Sequence, residues 1–92
     1  MLGQRICEMR TAFGWSQVEL AHRLQISKQT VSNWENENIQ PSIEMLVRLA
    51  RLFHVTTDYL LGLERIPRLS VDGLPVHDVG HLSQLIEDYK AK

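Results

Sequence analysis

Apolar residues over roughly the first sixty positions recur three and four residues apart, the repeat that places side chains on one face of an α-helix. The first segment puts Ile6, Met9 and Phe13 on one face, and Gly14 is placed to end it. Polar clusters separate the segments, so the pattern predicts short helices around a shared core. The later inward-facing positions are Leu20, Ala21, Leu24, Leu46, Leu49, Ala50 and Phe53.

Residues suited to capping a helix N-terminus stand before these segments. Ser16 is followed three residues later by Glu19, the spacing of a capping box, so the second helix is predicted to begin at residue 17. Ser27, Ser42 and Thr56 are placed to cap the third, fourth and fifth helices. These signals predict an all-α bundle of five short helices joined by tight loops.

The stretch ISKQTVSNWENE, residues 26–37, places many short polar side chains around one valine and one tryptophan. At about 100° per residue, Val31 and Trp34 share one side of a helix and the polar side chains occupy the other. Short amides, hydroxyls and lysine are the side chains that read base edges in the DNA major groove. The alternative is an ordinary solvated helix whose Ser, Thr and Asn residues serve only in capping.

The spacing between the second and third helices favours the DNA-reading interpretation. Leu24 is the last inward position of the second helix, and Ser27, the cap of the third, follows three residues later. Two helices joined by so short a turn form a helix-turn-helix, in which the second helix enters the major groove. The spacing therefore predicts that the third helix contacts DNA bases.

The run SQVELAHRLQISKQTVSNWENENIQPSIEMLVRLARLFHVTTDYLLGL, residues 16–63, resembles the lambda-repressor-like helix-turn-helix proteins. That family includes phage repressors, Cro proteins and the xenobiotic-response-element group of bacterial regulators. The resemblance implies a five-helix DNA-binding domain over residues 1–63 and a regulator, favoured to be a repressor, of double-stranded DNA operators in a bacterium or phage. The matching features are Ser16-Gln17, Leu20-Ala21, Val31, Trp34-Glu35, Pro41 and the closing FHV and DYLLG motifs.

The resemblance also implies roles for individual residues. Gln17, at the N-terminus of the second helix, matches a phosphate-contacting position, where the helix dipole favours an anion. Thr30 and Asn36 match phosphate-side positions beside the third helix. Arg10 and Glu35 match an ion pair that ties the first helix to the third, which is a structural role. The positions that match base-contacting residues are Lys28, Gln29, Ser32 and Asn33.

Two residues depart from the family's pattern. Gln25 and Glu37 stand where the family usually has glycine, which adopts a positive φ without steric cost. We expect Gln25 either to accept some strain or to alter the turn slightly. Glu37 places a carboxylate near the expected phosphates, and Asn38 can take the left-handed conformation in its stead.

The composition changes after the fifth helix. Residues 64–68 read as a charged linker, and Leu69 to Val71 alternates like a short strand. Pro75 suits the first position of a final helix whose apolar stripe must be covered, either by the five-helix body or by a second chain. Because the body has its own core, we expect residues 69–92 to form a strand-and-helix homodimerisation segment. The predicted interface residues are Leu69, Val71, Val79, Leu82, Leu85, Ile86 and Tyr89.

Composition limits the remaining functions. A chain of 92 residues has room for one small domain and an appendage. It shows no membrane-spanning run and no signal-peptide layout, so we expect a cytoplasmic protein without membrane contacts. The net charge of −1 is no global signature of nucleic-acid binding, which must therefore rest on local geometry. Cys7, the single cysteine, is expected to be a buried, inert thiol.

No motif for catalysis or cofactor binding appears, so we expect neither an enzyme nor a cofactor. His77 and His81 lie four residues apart on the final helix, but without a third ligand they are interpreted as surface histidines and no metal is expected. The competing function is an antitoxin or anti-regulator whose final helix binds a different protein. Self-association of the final helix favours the regulator, and a monomer favours the competitor.

Overall fold

The computed structural model describes residues 1–92 and contains six α-helices and no β-strand. The predicted all-α class and the five-helix body are confirmed. None of the helices has the length and apolarity needed to cross a membrane. The helices are α1 (Leu2–Ala12), α2 (Gln17–Leu24), α3 (Lys28–Glu35), α4 (Ile43–Phe53), α5 (Thr57–Leu60) and α6 (Val76–Lys90).

Helices α2 to α5 begin at the hydroxyl residues that the sequence predicts. In each case the side-chain oxygen accepts a hydrogen bond from the backbone amide three residues later, at 3.0–3.2 Å. Each bond satisfies an amide that has no partner inside the helix, and such a cap stabilises a helix by about 1 kcal/mol. The four caps are Ser16, Ser27, Ser42 and Thr56.

Helices α1 to α5 enclose one apolar core to which each of them contributes. No polar or charged residue is fully buried in it. Burial of one large apolar side chain stabilises the fold by about 1.5–3 kcal/mol, so this core holds the body together without α6. The fully buried large side chains are Ile6, Leu20, Val31, Leu49, Phe53 and Leu60.

Gly3 brings the first turn of α1 directly against the end of α3. A Cβ atom added to Gly3 would collide with the Trp34 carbonyl oxygen and lie 2.7 Å from a carboxylate oxygen of Glu37. The Gly3 amide donates a 2.7 Å hydrogen bond to that Glu37 oxygen. The missing side chain therefore permits a carboxylate to cap the N-terminus of α1, where the helix dipole favours negative charge.

Both positions where the family usually has glycine do have a positive φ, 58° at Gln25 and 61° at Glu37. Asn38, which could have taken the left-handed conformation instead of Glu37, does not do so. Glu37 takes the left-handed conformation at the end of α3, where its amide donates to the Trp34 carbonyl oxygen and the next amide to that of Asn33. Its side chain reaches the first turn of α1. A left-handed conformation costs a residue with a Cβ about 1–2 kcal/mol, which the surrounding contacts must offset.

The predicted strand at Leu69 to Val71 is wrong. These residues form an irregular segment that is fastened to the body by one backbone hydrogen bond, from the Ser70 amide to the His54 carbonyl oxygen at 3.2 Å. Alternation of apolar and polar residues describes a strand only where a neighbouring strand can pair with it, and a single chain supplies none here. Helix α6 begins one residue later than expected, because Pro75 is its N-cap and not its first residue.

We predict that Gly3→Ala lowers the free energy of unfolding by about 1–3 kcal/mol, because the new methyl group must displace the end of α3. The matched control is Gly80→Ala in α6, where an added Cβ meets no atom within 4 Å. That control should leave stability unchanged or raise it. Urea unfolding followed by circular dichroism measures both variants, and equal stability of Gly3→Ala and the unmodified chain would contradict the packing described.

Candidate nucleic-acid interface

Helix α3 divides its side chains between the core and the surface. Val31 is fully buried and Trp34 is 4% exposed, and both belong to the core. The opposite face is exposed or half-buried and carries no acidic residue. Its members are Lys28, Gln29, Ser32, Asn33 and Asn36.

Side chains on this polar face are hydrogen-bonded to one another across single helical turns. The Gln29 side-chain NH₂ donates to the Asn33 side-chain oxygen at 3.1 Å. The Asn36 NH₂ donates to the Ser32 hydroxyl oxygen at 3.3 Å. The first bond leaves the Gln29 side-chain oxygen as an acceptor and the Asn33 NH₂ group as a donor.

The turn between α2 and α3 is held at both ends. Gln25, in the left-handed conformation, ends α2, and Ser27 caps α3 while its hydroxyl lies 2.9 Å from that of Thr30. Arg48 of α4 donates to the Leu24 carbonyl oxygen at 3.0 Å. A cation at the C-terminus of a helix satisfies a carbonyl and interacts favourably with the helix dipole. The turn therefore has a fixed conformation although its left-handed residue is not glycine.

Arg10 and Glu35 form an ion pair that joins α1 to the end of α3. Arg10 Nε donates to Glu35 Oε2 at 2.7 Å and Arg10 Nη2 to Glu35 Oε1 at 3.0 Å, with side chains only 13% and 6% exposed. Arg10 Nη1 also donates to the Trp15 carbonyl oxygen at 2.7 Å. The Gln17 side-chain NH₂ donates to Glu35 Oε1 at 3.1 Å. One network therefore contains residues from α1, α2 and α3.

This network shifts the ionisation of its members. Burial alone would raise the pKa of the Glu35 carboxyl, but hydrogen bonds from Arg10 and Gln17 and the charge of Arg10 hold it below its ordinary value of 4.5. Burial, followed by the charge of Glu35, raises the pKa of the Cys7 thiol above 9.0. Glu35 is therefore ionised at neutral pH. Cys7 is a neutral thiol, which agrees with an inert residue, but it is half-buried and not buried as expected.

Helix α6 leaves its apolar residues uncovered. It contains no buried residue, and Ile86 and Tyr89 are 52% and 70% exposed. One side of α6 faces the irregular segment before it across a shallow apolar groove. An apolar surface of this kind usually marks a contact with another molecule. The groove is lined by Pro67, Leu69, Val71, Leu82, Leu85, Ile86 and Tyr89.

The two histidines of α6 lie on the same side of the helix. The ring centroids of His77 and His81 are 5.8 Å apart, and the planes are tilted by 52°. No third histidine, cysteine or carboxylate completes a group of three with them. Two ligands alone do not make a structural zinc site.

A comparison with protein families matches residues 8–60 to the helix-turn-helix family. The chain belongs to this family. The match includes α2, the short turn and α3, together with most of the remaining body. The predicted resemblance to lambda-repressor-like proteins is confirmed.

Curated relatives of this helix-turn-helix protein carry names of transcriptional regulators. It is 32% identical to the regulator ImmR of Bacillus subtilis over 87 residues, which cover 95% of this chain and 68% of ImmR. It is 41% identical to AnsR of the same species over 61 residues, which cover 66% of this chain and 53% of AnsR. The chain thus spans between about half and two-thirds of the length of these relatives.

A solved structure shares the fold of the helix-turn-helix protein. A chain in the SinR protein/SinI protein complex superposes with a TM-score of 0.61 at 22% identity, and the match covers 100% of both chains. The likeness is one of fold, and the matched residues extend over the whole chain.

Some of the predicted site residues are brought together in the helix-turn-helix protein and others are not. Arg10 and Glu35 are paired, and Gln17, assigned to a phosphate by resemblance, contacts the same carboxylate. Gln17 is nevertheless the first residue of α2, so its backbone amide lies in the turn that favours an anion. Thr30 lies in the first turn of α3, and Asn36 directly follows its last residue. Their phosphate contacts stay predictions.

Two side chains, Glu37 and Arg48, have structural roles that the sequence pattern did not predict. Glu37 caps α1, and Arg48 caps the end of α2. For Glu37 a signal exists, since Gly3 inside a predicted helix indicates close approach of another backbone. For Arg48 no local signal exists, because its carbonyl partner is 24 residues away in the chain.

We predict that Glu35→Gln destabilises the fold at neutral pH by about 3 kcal/mol, because Arg10 would lose its charged partner in a largely buried position. The pKa of Glu35 is lower in the folded state, so ionised Glu35 stabilises the fold above its ordinary pKa of 4.5. This contribution is lost as the pH falls below that value. The difference in unfolding free energy between the unmodified chain and Glu35→Gln should therefore shrink in acid.

Urea unfolding between neutral and acidic pH measures this difference. The matched control is Glu8→Gln, an exposed position in the middle of α1, which should change stability little. A pH-independent difference between Glu35→Gln and the unmodified chain would show that the Glu35 charge does not supply the stabilisation.

Proposed function

We propose that this protein is a sequence-specific transcriptional regulator that binds double-stranded DNA with α3 in the major groove. The polar face of α3 carries the proposal, because it is exposed while the opposite face is anchored by Val31 and Trp34. The ion pair between Arg10 and Glu35 fixes the helix from behind. A helix held in this way presents its polar side chains at constant positions to a groove wide enough to admit it.

Base reading is assigned to Lys28, Gln29, Ser32 and Asn33. Gln29 keeps an acceptor and Asn33 a donor on two hydrogen-bonded side chains, and adenine presents the complementary pair, an N6 donor and an N7 acceptor, in the major groove. Lys28, at the first position of α3, suits the acceptors of guanine. The Ser32 hydroxyl can donate or accept and therefore adapts to either partner.

Phosphate contacts are assigned to the first turn of α2 and to both ends of α3, through Gln17, Thr30 and Asn36. The backbone amides in the first turn of α2 suit an anion, and at α3 the Thr30 hydroxyl and the Asn36 side-chain NH₂ can donate to one, without requiring many cations. The net charge of −1 agrees with an interface built from a few local contacts. Binding through few cations should depend only weakly on salt.

We further propose that the protein acts as a homodimer in which residues 69–92 of two chains cover each other, with residues 1–63 as the DNA-binding unit and 64–68 as the connection. The uncovered apolar residues of α6 support this assignment. A twofold arrangement covers both apolar surfaces at once and places two α3 helices on one side of a duplex. Repression is the favoured outcome, since a protein that occupies an operator can block transcription without further contacts.

Selection of bound duplexes from a random pool tests the central proposal. The expected result is an enriched motif with two half-sites whose centres are about one DNA turn, ~34 Å, apart. A random population of recovered sequences would contradict sequence-specific binding. Reporter transcription from a promoter that contains the motif then separates repression from activation.

The second candidate function is an antitoxin or anti-regulator in which α6 binds a different protein. The same observation supports it, because an uncovered apolar helix face also accepts an unlike partner. The two candidates differ in the state of the isolated chain. A dimer at tens of micromolar favours the homodimeric regulator, and a monomer favours the second candidate.

We predict that Gln29→Ala lowers affinity for the selected motif by about 1–3 kcal/mol and relaxes choice at one base pair, because one bidentate base contact is lost. Affinity for random duplexes should change little. The matched control is Gln4→Ala, another exposed glutamine bonded to a side chain four residues along, at Glu8. Competition binding measures both, and an unchanged preference in Gln29→Ala would remove α3 from base reading.

We predict that Ile86→Lys converts a dimer into a folded monomer, because a charge on the covered face of α6 would be desolvated. The matched control is Gln84→Lys, which places the same charge on the opposite side of α6 and should stay dimeric. A chain ended after Arg65 should likewise be a helical monomer that binds paired half-sites weakly. Sedimentation measures the oligomeric state of all three chains, and a dimeric truncated chain would place the interface elsewhere.

A further inference from the structure

Arg5 of α1 fastens the point at which the chain leaves the five-helix body. Arg5 Nη1 donates to the carbonyl oxygens of Tyr59 and Glu64, at 3.0 and 3.1 Å. The guanidinium carbon also lies 4.1 Å from the centre of the Tyr59 ring. One side chain therefore binds both the last turn of α5 and the first residue of the connection to α6.

Other bonds restrain the same connection. The Thr56 hydroxyl donates to the Glu64 carboxylate at 2.8 Å. Six residues after Glu64, the Ser70 amide donates to the His54 carbonyl oxygen at 3.2 Å. The charged linker expected at residues 64–68 is therefore held between two attachments to the body, at residues 64 and 70.

The helix that carries Arg5 also holds the base-reading helix. Arg10 of α1 pairs with Glu35, and the Gly3 amide pairs with Glu37. Arg5 and Arg10 are separated by about 7.5 Å along the axis of α1. Helix α1 therefore carries both the residue that orients α3, Arg10, and the residue that holds the chain where the C-terminal segment leaves the body, Arg5.

We infer that Arg5 is a positioning residue that sets which half-site spacing the dimer accepts. This inference rests on the proposed homodimer. A shift of one base pair moves the second half-site by about 3.4 Å and turns it by about 35° around the duplex. A connection held at two points cannot follow this movement. A loose connection lets the dimer bind half-sites at several spacings, but it lowers the effective concentration of the second DNA-binding unit.

The experiment measures the affinity of the full chain for three kinds of duplex. The first has one half-site, the second has two half-sites at the selected spacing, and the third has two half-sites whose spacing differs by one or two base pairs. For the unmodified chain, we expect a shift of one base pair to weaken binding about tenfold or more. For Arg5→Gln, the affinities across spacings should converge to within about threefold, while single half-site affinity stays within about twofold. The matched control is Arg65→Gln, which removes the same charge from an exposed neighbour of Glu64 and should behave as the unmodified chain.

A second variant tests the same idea without altering Arg5. Insertion of two glycines between Val71 and Asp72 lies beyond both attachments, at residues 64 and 70, and lengthens the connection to α6. It should broaden spacing preference as Arg5→Gln does, and it carries the test if Arg5→Gln fails to fold. Retained spacing preference in either folded variant, or an equal loss of single half-site binding in Arg5→Gln, would overturn the role of Arg5.

The unmodified chain separates failure of this inference from failure of the proposed function. Monomeric sedimentation, together with equal affinity for one and two half-sites, would contradict the homodimer and the inference together. A dimeric chain with a sharp spacing preference that Arg5→Gln keeps would contradict only the role of Arg5.

Discussion

The position of α3 depends on the ion pair between Arg10 and Glu35. With eight residues, α3 is too short to be stable alone, so its position must come from tertiary contacts. Removing two charges from water is costly, and in this pair the cost is offset by two direct hydrogen bonds and by further bonds from Gln17 and to Trp15. Compared with an apolar pair of similar size, such a pair adds little net stability, but its two parallel hydrogen bonds restrict the orientation of the two helices.

That constraint explains why the outer face of α3 needs no apolar residue. Val31 and Trp34 anchor the helix on the core side, and Glu35 fixes its end. The remaining positions are released from packing and can all be polar. The same helix α1 that fixes α3 also binds the exit of the chain through Arg5, so the body connects both surfaces that the proposed function requires.

The five-helix body and helix α6 differ in the kind of surface that each leaves exposed. The body has its own core and leaves a polar helix face exposed, whereas α6 has no buried residue and leaves an apolar face exposed. A net charge of −1 would not attract DNA from a distance, so the proposed selectivity lies in short-range hydrogen bonds. Exposed apolar surface on α6 costs free energy in water, and pairing with another surface removes that cost.

Local signals in the sequence determined where α2 to α5 begin and which face of α3 is polar, because a capping hydroxyl acts within three residues and helical periodicity within a turn. Only the tertiary structure decided that Glu37 caps α1 and that Gln17 meets Glu35, since these partners lie 34 and 18 residues apart. The expected strand before α6 failed for a related physical reason. A strand exists through pairing with another strand, and the residues of one segment cannot supply that partner.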